Sequence, residues 1–159
     1  IAAARIIPKK YKKDAKKKDV HIAFDGDAVL FSDESEKIYK KQGLEAFVKH
    51  EKKNAKNPLP KGPFAKLLKL ISQIQKKFPM EKAPIKTSLI TARDFATFER
   101  VIRTFDAWDV RVDEAFFLGG VEKRRVVKSF KADIFFDDQY VNLDKTSKKT
   151  PSAKVPYKR

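Results

Sequence analysis

Residues 21–33 read HIAFDGDAVLFSD, and the fold turns on how this stretch is taken. An apolar run climbs to Phe24, stops at Asp25, and a second carboxylate follows at Asp27. A short apolar run ended by polar residues reads as a buried strand of the kind found in parallel sheets. Two acids at its end form either a polar turn or a reactive pair, a nucleophile beside an acid/base partner. The rest of the chain has to decide between them.

Working outward, Asp33 and Glu36 have the spacing of a capping box. They predict a helix through Lys41 that Gly43 ends, with a second short helix over 44–53. KNPLPKGP at 56–63 is an extended connection. Pro63 opens the next helix and Pro79 stops it, with Phe64, Leu67, Leu68, Ile71, Ile74 and Phe78 on one face. IKTSLIT at 85–91 reads as a strand. A helix then carries Phe95, Phe98, Ile102 and Phe105 on one face, expected to be core. EAFFLGG at 114–120 gives a strand and a tight glycine turn, 121–130 a helix, and DIFFDD at 133–138 a last strand. This alternation predicts an α/β fold, a Rossmann-like three-layer parallel sheet.

In open sheets of this class the ligand lies beyond the carboxyl ends of the strands. There the sequence places Asp25 and Asp27, then Thr91 with Arg93, then Lys123, then Asp137 and Asp138. Carboxylates, a hydroxyl and an ammonium on one edge suit a divalent cation gripping a phosphate. One carboxylate can attack phosphorus, and another two residues along can manage the protons. Arg93 reads as a local ion pair, and His21 and His50, without ligand-like companions, as structural.

Composition sets the remaining bounds. With 159 residues, 13 Phe and 42% hydrophobic residues, the chain can bury one good core. It has no Cys, which excludes disulfides and thiolate metal sites and suits a reducing, cytoplasmic compartment. No apolar stretch has membrane-spanning length, so no membrane partner is expected. Residues 1–20 and 145–159 each carry +6, twelve of the net +16. Residues 1–19 therefore read as a basic linker and 145–159 as a basic C-terminal tail. Both are expected to be solvated, the sharper alternative being contact with nucleic acid or an acidic partner.

DGDAV at 25–29 resembles the nucleophile motif of the haloacid dehalogenase superfamily, and Thr91, Lys123 and Asp137-Asp138 follow in the order of its later motifs. AFDGDAVLFSDESE, GLEAFVKHE, LITAR, DEAFFLGG and ADIFFDDQ resemble the cytosolic 5′-nucleotidase I family, with a fainter echo at KVPYKR. This resemblance implies Mg²⁺-dependent hydrolysis of nucleoside 5′-monophosphates, with AMP the leading candidate. It makes Asp25 the nucleophile and Asp27 the general acid/base. It assigns the metal to the Asp25 carboxylate, the Asp27 backbone carbonyl, Asp137 and Asp138, and the phosphoryl group to Thr91 and Lys123. Arg124 stands where members often have Gly, which leaves Lys128 as an alternative to Lys123. The resemblance further implies a small helical cap insertion at about 32–62 in a catalytic domain spanning 20–144. It also implies a preceding half, whose end IAAARIIP at 1–8 resembles. Transfer of the phosphoryl group to a nucleoside acceptor would use the same residues. The contrasting reading is a scaffold of the same fold, brought to RNA or a ribonucleoprotein by its lysine-rich ends.

Overall fold

Neighbouring residues of two central strands face opposite ways into two separate cores. The computed structural model describes residues 2–11 and 17–157. In it β2 (Val20–Phe24) pairs in parallel with β3 (Ile85–Thr91), setting Phe24 beside Leu89. Phe24 and Leu89 face one core, with Phe64, Leu68 and Ile71 at and along α2 (Ala65–Gln75) and Val101 and Phe105 from α3 (Phe98–Ala107). Ala23 and Ile90, one residue out of step, face the other, with Val127 of α4 (Lys123–Ser129), Phe130, and Leu143 of α5 (Tyr140–Thr146). The period-two alternation of strand side chains makes this a three-layer molecule, as expected.

Beyond β3 lies β4 (Glu114–Phe117), and on the other flank of β2 lies β5 (Ile134–Asp137), both parallel. β6 (Ser152–Lys154) extends the sheet in parallel from β5, and β1 (Arg5–Ile6) closes the edge antiparallel to β6. The order is β1-β6-β5-β2-β3-β4. The chain steps outward from β2 to β4, then returns to the opposite side of β2. A topological switch point therefore falls between β2 and β5, where sheets of this class open a crevice. No helix among the described residues is long and apolar enough to cross a membrane.

The segment that follows β2 leaves and returns at one place. Phe31 bridges Lys61, and the Ser32 N–H donates to the Pro60 carbonyl at 2.8 Å. Between these stems runs α1 (Glu34–Lys53), broken at Gly43, whose φ of 82° only glycine adopts readily. Two helical segments meeting at Gly43 match the expectation; the capping box does not. Asp33 makes no side-chain cap bond and instead pairs with Lys37 at 3.0 Å, while Glu36 pairs with Lys40. Lysines one turn along offer both acids full charges, which outcompete the backbone amides.

Three further expectations differ from the structure. The helix opened near Pro63 ends at Gln75 rather than at Pro79, leaving Ile74 and Phe78 half exposed. Gln75 takes the inward place, donating to Asp113 at 2.7 Å and to the Ile85 carbonyl at 3.1 Å. The following Phe-rich face is not core as a whole. Phe105 is buried, but Phe95 is 77% exposed, and the residues facing inward are Arg100, Val101, Thr104 and Phe105. A 3-10 turn at Phe95–Thr97 precedes α3 and shifts the phase, and polar Arg100 and Thr104 have partners inside.

The third difference concerns the ends. Residues 145–157 are not a solvated tail, since they include β6, with Ser152, Ala153 and Val155 fully buried. Lys154 reaches the rim, over the Tyr140 ring at 4.3 Å and donating to the Asp138 carbonyl at 2.7 Å. Lysines at either side hid a three-residue strand too short to show a period. In the segment read as a linker, β1 joins the sheet, Tyr11 donates to the Ser147 carbonyl, and Lys17 pairs with Asp133. The lysine-rich run at 12–16 lies outside the described residues.

Candidate active site

β2 ends inside the sheet, and this places Asp25 at the crevice. Its backbone N–H donates to the Phe136 carbonyl at 2.8 Å, continuing the ladder to β5, while Oδ1 accepts from the Gly26 N–H at 2.7 Å. β5 ends one strand away in Asp137, with Asp138 next. One ligand atom from each of Asp25, Asp137 and Asp138 lies within 4.8 Å of the others, and all three residues are buried. Lys123, the first residue of α4, reaches in between with Nζ 2.7 Å from Asp25 and 2.8 Å from Asp137. Lys128 is exposed in the last turn of the same helix. Asp137 is held further by Asn142 at 3.0 Å and by the Gln139 N–H at 2.7 Å.

The electrostatics of this group are unbalanced. Burial pushes the Asp25 carboxyl well above its ordinary value, and the nearby Asp137 and Asp138 push it further, with Lys123 only partly offsetting them. Burial works against the Lys123 charge, yet Asp25 and Asp137 hold its pKa above the usual lysine value. Asp25 and Asp137 share the one Lys123 ammonium, with the Asp138 carboxylate alongside. Hard, closely spaced, anionic oxygens of this kind fit a divalent cation such as Mg²⁺.

Thr91, at the end of β3, lies against the same loop. A Cβ on Gly26 would stand 3.2 Å from Thr91 Oγ1, so the two acids and the hydroxyl share a tight turn. Asp27 does not join the acid cluster. Both of its carboxylate oxygens accept from Arg93, from Nη2 at 2.7 Å and from Nε at 2.9 Å. Arg93 is an ion-paired residue, as expected, but its partner is the residue expected to move protons. Its Nη1 also donates to Glu51 of α1, whose other oxygen accepts from Arg100 Nη1 and Ser35 Oγ, each at 2.8 Å. Burial alone would raise Glu51, but Arg93, Ser35 and Arg100 outweigh it and hold it below the usual range. Burial likewise opposes the Arg93 charge, and Asp27 and Glu51 overcome it, raising its pKa.

The structure thus brings together Asp25, Lys123, Asp137 and Asp138, with Thr91 alongside, and sets Asp27 two residues further in a separate network. Reading the sequence missed Glu51 and Asn142. Glu51 had a signal. It lies four residues after buried Phe47, an acid on the apolar side of a helical segment. The histidines have structural partners, His21 bridging the Phe130 carbonyl and Asp19, and His50 beside Glu51.

A family profile described as 5′-nucleotidase matches residues 1–159. The chain belongs to that family. This 5′-nucleotidase family member is also similar to the human protein named Cytosolic 5′-nucleotidase 1B, with 39% identity over 130 residues. The match covers 79% of this chain and 21% of the human protein, so the chain spans about a fifth of the length of that relative. The resemblance to the cytosolic 5′-nucleotidase I family therefore holds. No solved structure matches the chain.

Proposed function

We propose that the protein is a Mg²⁺-dependent 5′-nucleotidase, hydrolysing nucleoside 5′-monophosphates, AMP foremost, through an aspartyl-phosphate on Asp25. The observation that carries this reading is the convergence of Asp25, Asp137 and Asp138 around Lys123 at the switch point between β2 and β5. Asp25 attacks phosphorus in line with the ester oxygen, and the P–O bond to the nucleoside breaks. Asp27 gives its proton to the departing 5′-oxygen, then takes one from the water that attacks the aspartyl-phosphate, releasing phosphate and restoring Asp25. Lys123 and Thr91 bind the phosphoryl oxygens. The Asp25 carboxylate, the Asp27 backbone carbonyl, Asp137 and Asp138 would hold Mg²⁺, which supplies charge neutralisation at those oxygens. The insertion at about 32–62 serves as a cap that excludes water from the nucleotide.

The name of the human relative supports a cytosolic location for this chain. The nucleic-acid alternative has less support, because β1, Tyr11, Lys17 and β6 from the two basic ends are engaged with the domain itself. The reading is tested by phosphate release from AMP with and without Mg²⁺, for the wild-type chain and for Asp25→Asn. Release that needs the metal and vanishes in the variant is the expected result. Folded wild-type protein without turnover would overturn it.

A further inference from the structure

Asp27 is held where it cannot yet do its work. Both carboxylate oxygens accept from one guanidinium, in the bidentate arrangement that fixes direction as well as distance. To protonate a leaving oxygen, Asp27 must turn at least one of them toward the substrate. Its position is therefore set by Arg93, and Arg93 is not free to drift. Its side chain is 2% exposed, and its remaining edge is taken by Glu51, fully buried in the second segment of α1. Glu51 is in turn fixed by Arg100 of α3 and by Ser35 of the first segment of α1, across the break at Gly43.

Stability is a poor explanation for this arrangement. Buried ion pairs add little over apolar side chains of the same volume, though losing one partner is damaging. Apolar residues cannot hold a carboxylate by both oxygens. We infer that Glu51 and Arg93 are positioning residues, a relay through which the insertion sets the aim of Asp27 in proton transfer. This rests on the hydrolase reading, in which Asp27 is the general acid/base. Glu51 orients Arg93, and Arg93 presents Asp27 to the scissile bond.

The relay predicts a dependence on the leaving group. A nucleoside 5′-oxygen needs a proton to depart and p-nitrophenolate does not, whereas the water step needs Asp27 with either substrate. Glu51→Gln, whose amide keeps the size of the side chain, should lower kcat for AMP about 10-fold with KM within about twofold. Arg93→Lys, which keeps the charge but not the fork, should lower it about 100-fold. With p-nitrophenyl phosphate both variants should still release a burst of about one nitrophenol per enzyme before slow turnover. Thermal melts establish that each variant is folded at the assay temperature, and either variant suffices. Unchanged kcat for AMP in a folded variant would overturn the relay. So would an equal loss in the AMP rate and the nitrophenol burst, which marks a merely structural role. Absence of turnover by the wild-type chain would instead overturn the hydrolase reading, and the relay with it.

Discussion

Two groups of buried charges lie side by side in this molecule and are built on opposite terms. At the ends of β2 and β5, Asp25 and Asp137 share Lys123, with Asp138 beside them. Between α1 and α3, Asp27 and Glu51 face Arg93 and Arg100, two acids against two bases, with half-exposed Glu34 at the rim 3.6 Å from Arg100. In the first group Asp25 and Asp137 have one ammonium between them, and burial leaves Asp25 hard to ionise. The second is balanced, and its Glu51 is unusually easy to ionise. Neighbouring carboxylates thus serve different ends. One set is suited to take up a cation from solution, and the other already has its cations in the chain.

The strongest test of that contrast is to neutralise one acid in each group. Asp25→Asn should lower metal-dependent phosphate release from AMP by about 10⁴-fold or more, since it removes the proposed nucleophile. It should also raise the melting temperature of the metal-free protein by about 2–4 °C at neutral pH, because it relieves repulsion among buried acids. Melting curves with chelator present check this, and a lower melting temperature there would refute the undercompensated reading of the first group.

Glu51→Ala should act the other way. It leaves two buried guanidinium groups without their shared partner and should destabilise the fold by about 3–5 kcal/mol, measured by urea unfolding. Acid titration sharpens the difference in sign. Glu51 is depressed on folding, so its stabilisation is complete above the ordinary glutamate value of 4.5 and is lost as pH falls through the folded value. Asp25 is raised on folding, so the stability linked to its protonated form is present below the ordinary aspartate value of 3.8. It is lost as pH rises through the raised folded value. In metal-free protein Glu51→Gln should flatten the acid limb of the stability profile, and Asp25→Asn the limb that declines with rising pH.

A smaller effect probes how closely the two groups are joined. Gly26 separates Asp25 from Asp27, and a methyl there would press on Thr91 Oγ1 and stand 3.3 Å from the Phe31 ring. Gly26→Ala should shift both acids by a few tenths of an ångström and lower kcat/KM for AMP by about 10-fold. Steady-state kinetics with unchanged rates would mean that the turn has room to spare.

The acids could be read from sequence because strand ends are local. Val20–Phe24, Ile85–Thr91 and the strand ending in Asp137 each announce themselves by an apolar run, and the polar residues that close those runs must lie on one edge of a parallel sheet. The Arg93–Glu51 pairing could not be read that way. It joins residues 42 apart, and Glu51 stands in the charged run KHEKK, where nothing marks one acid as buried except its distance from Phe47. β6 escaped for a related reason, since three residues among lysines show no alternation, and its burial comes from the neighbouring β5. Short elements are specified by what they pack against.

The face of α3 is the subtlest case, and it yields the smallest predicted effect. Spacing alone puts Phe95, Phe98, Ile102 and Phe105 together, yet the helix turns Arg100 and Thr104 inward with Val101 and Phe105. Each inward polar residue answers a specific demand. Arg100 bonds Glu51, and Thr104 Oγ1 accepts from the Leu59 N–H at 2.8 Å while donating to the Arg100 carbonyl. Satisfying buried donors and acceptors outweighs the burial of one more aromatic ring, because an unmade buried hydrogen bond costs about 1–3 kcal/mol. Phe95 is left on the surface, stacked on Phe98 with ring centroids 4.6 Å apart. Phe95→Ala should therefore change stability by no more than about 0.5 kcal/mol in urea unfolding. The same truncation at buried Phe105, ten residues along the same apparent stripe, should destabilise by about 3–5 kcal/mol. Equal losses at the two positions would restore the stripe as core and put the inward turn of Arg100, on which the balanced charge group depends, in the wrong place.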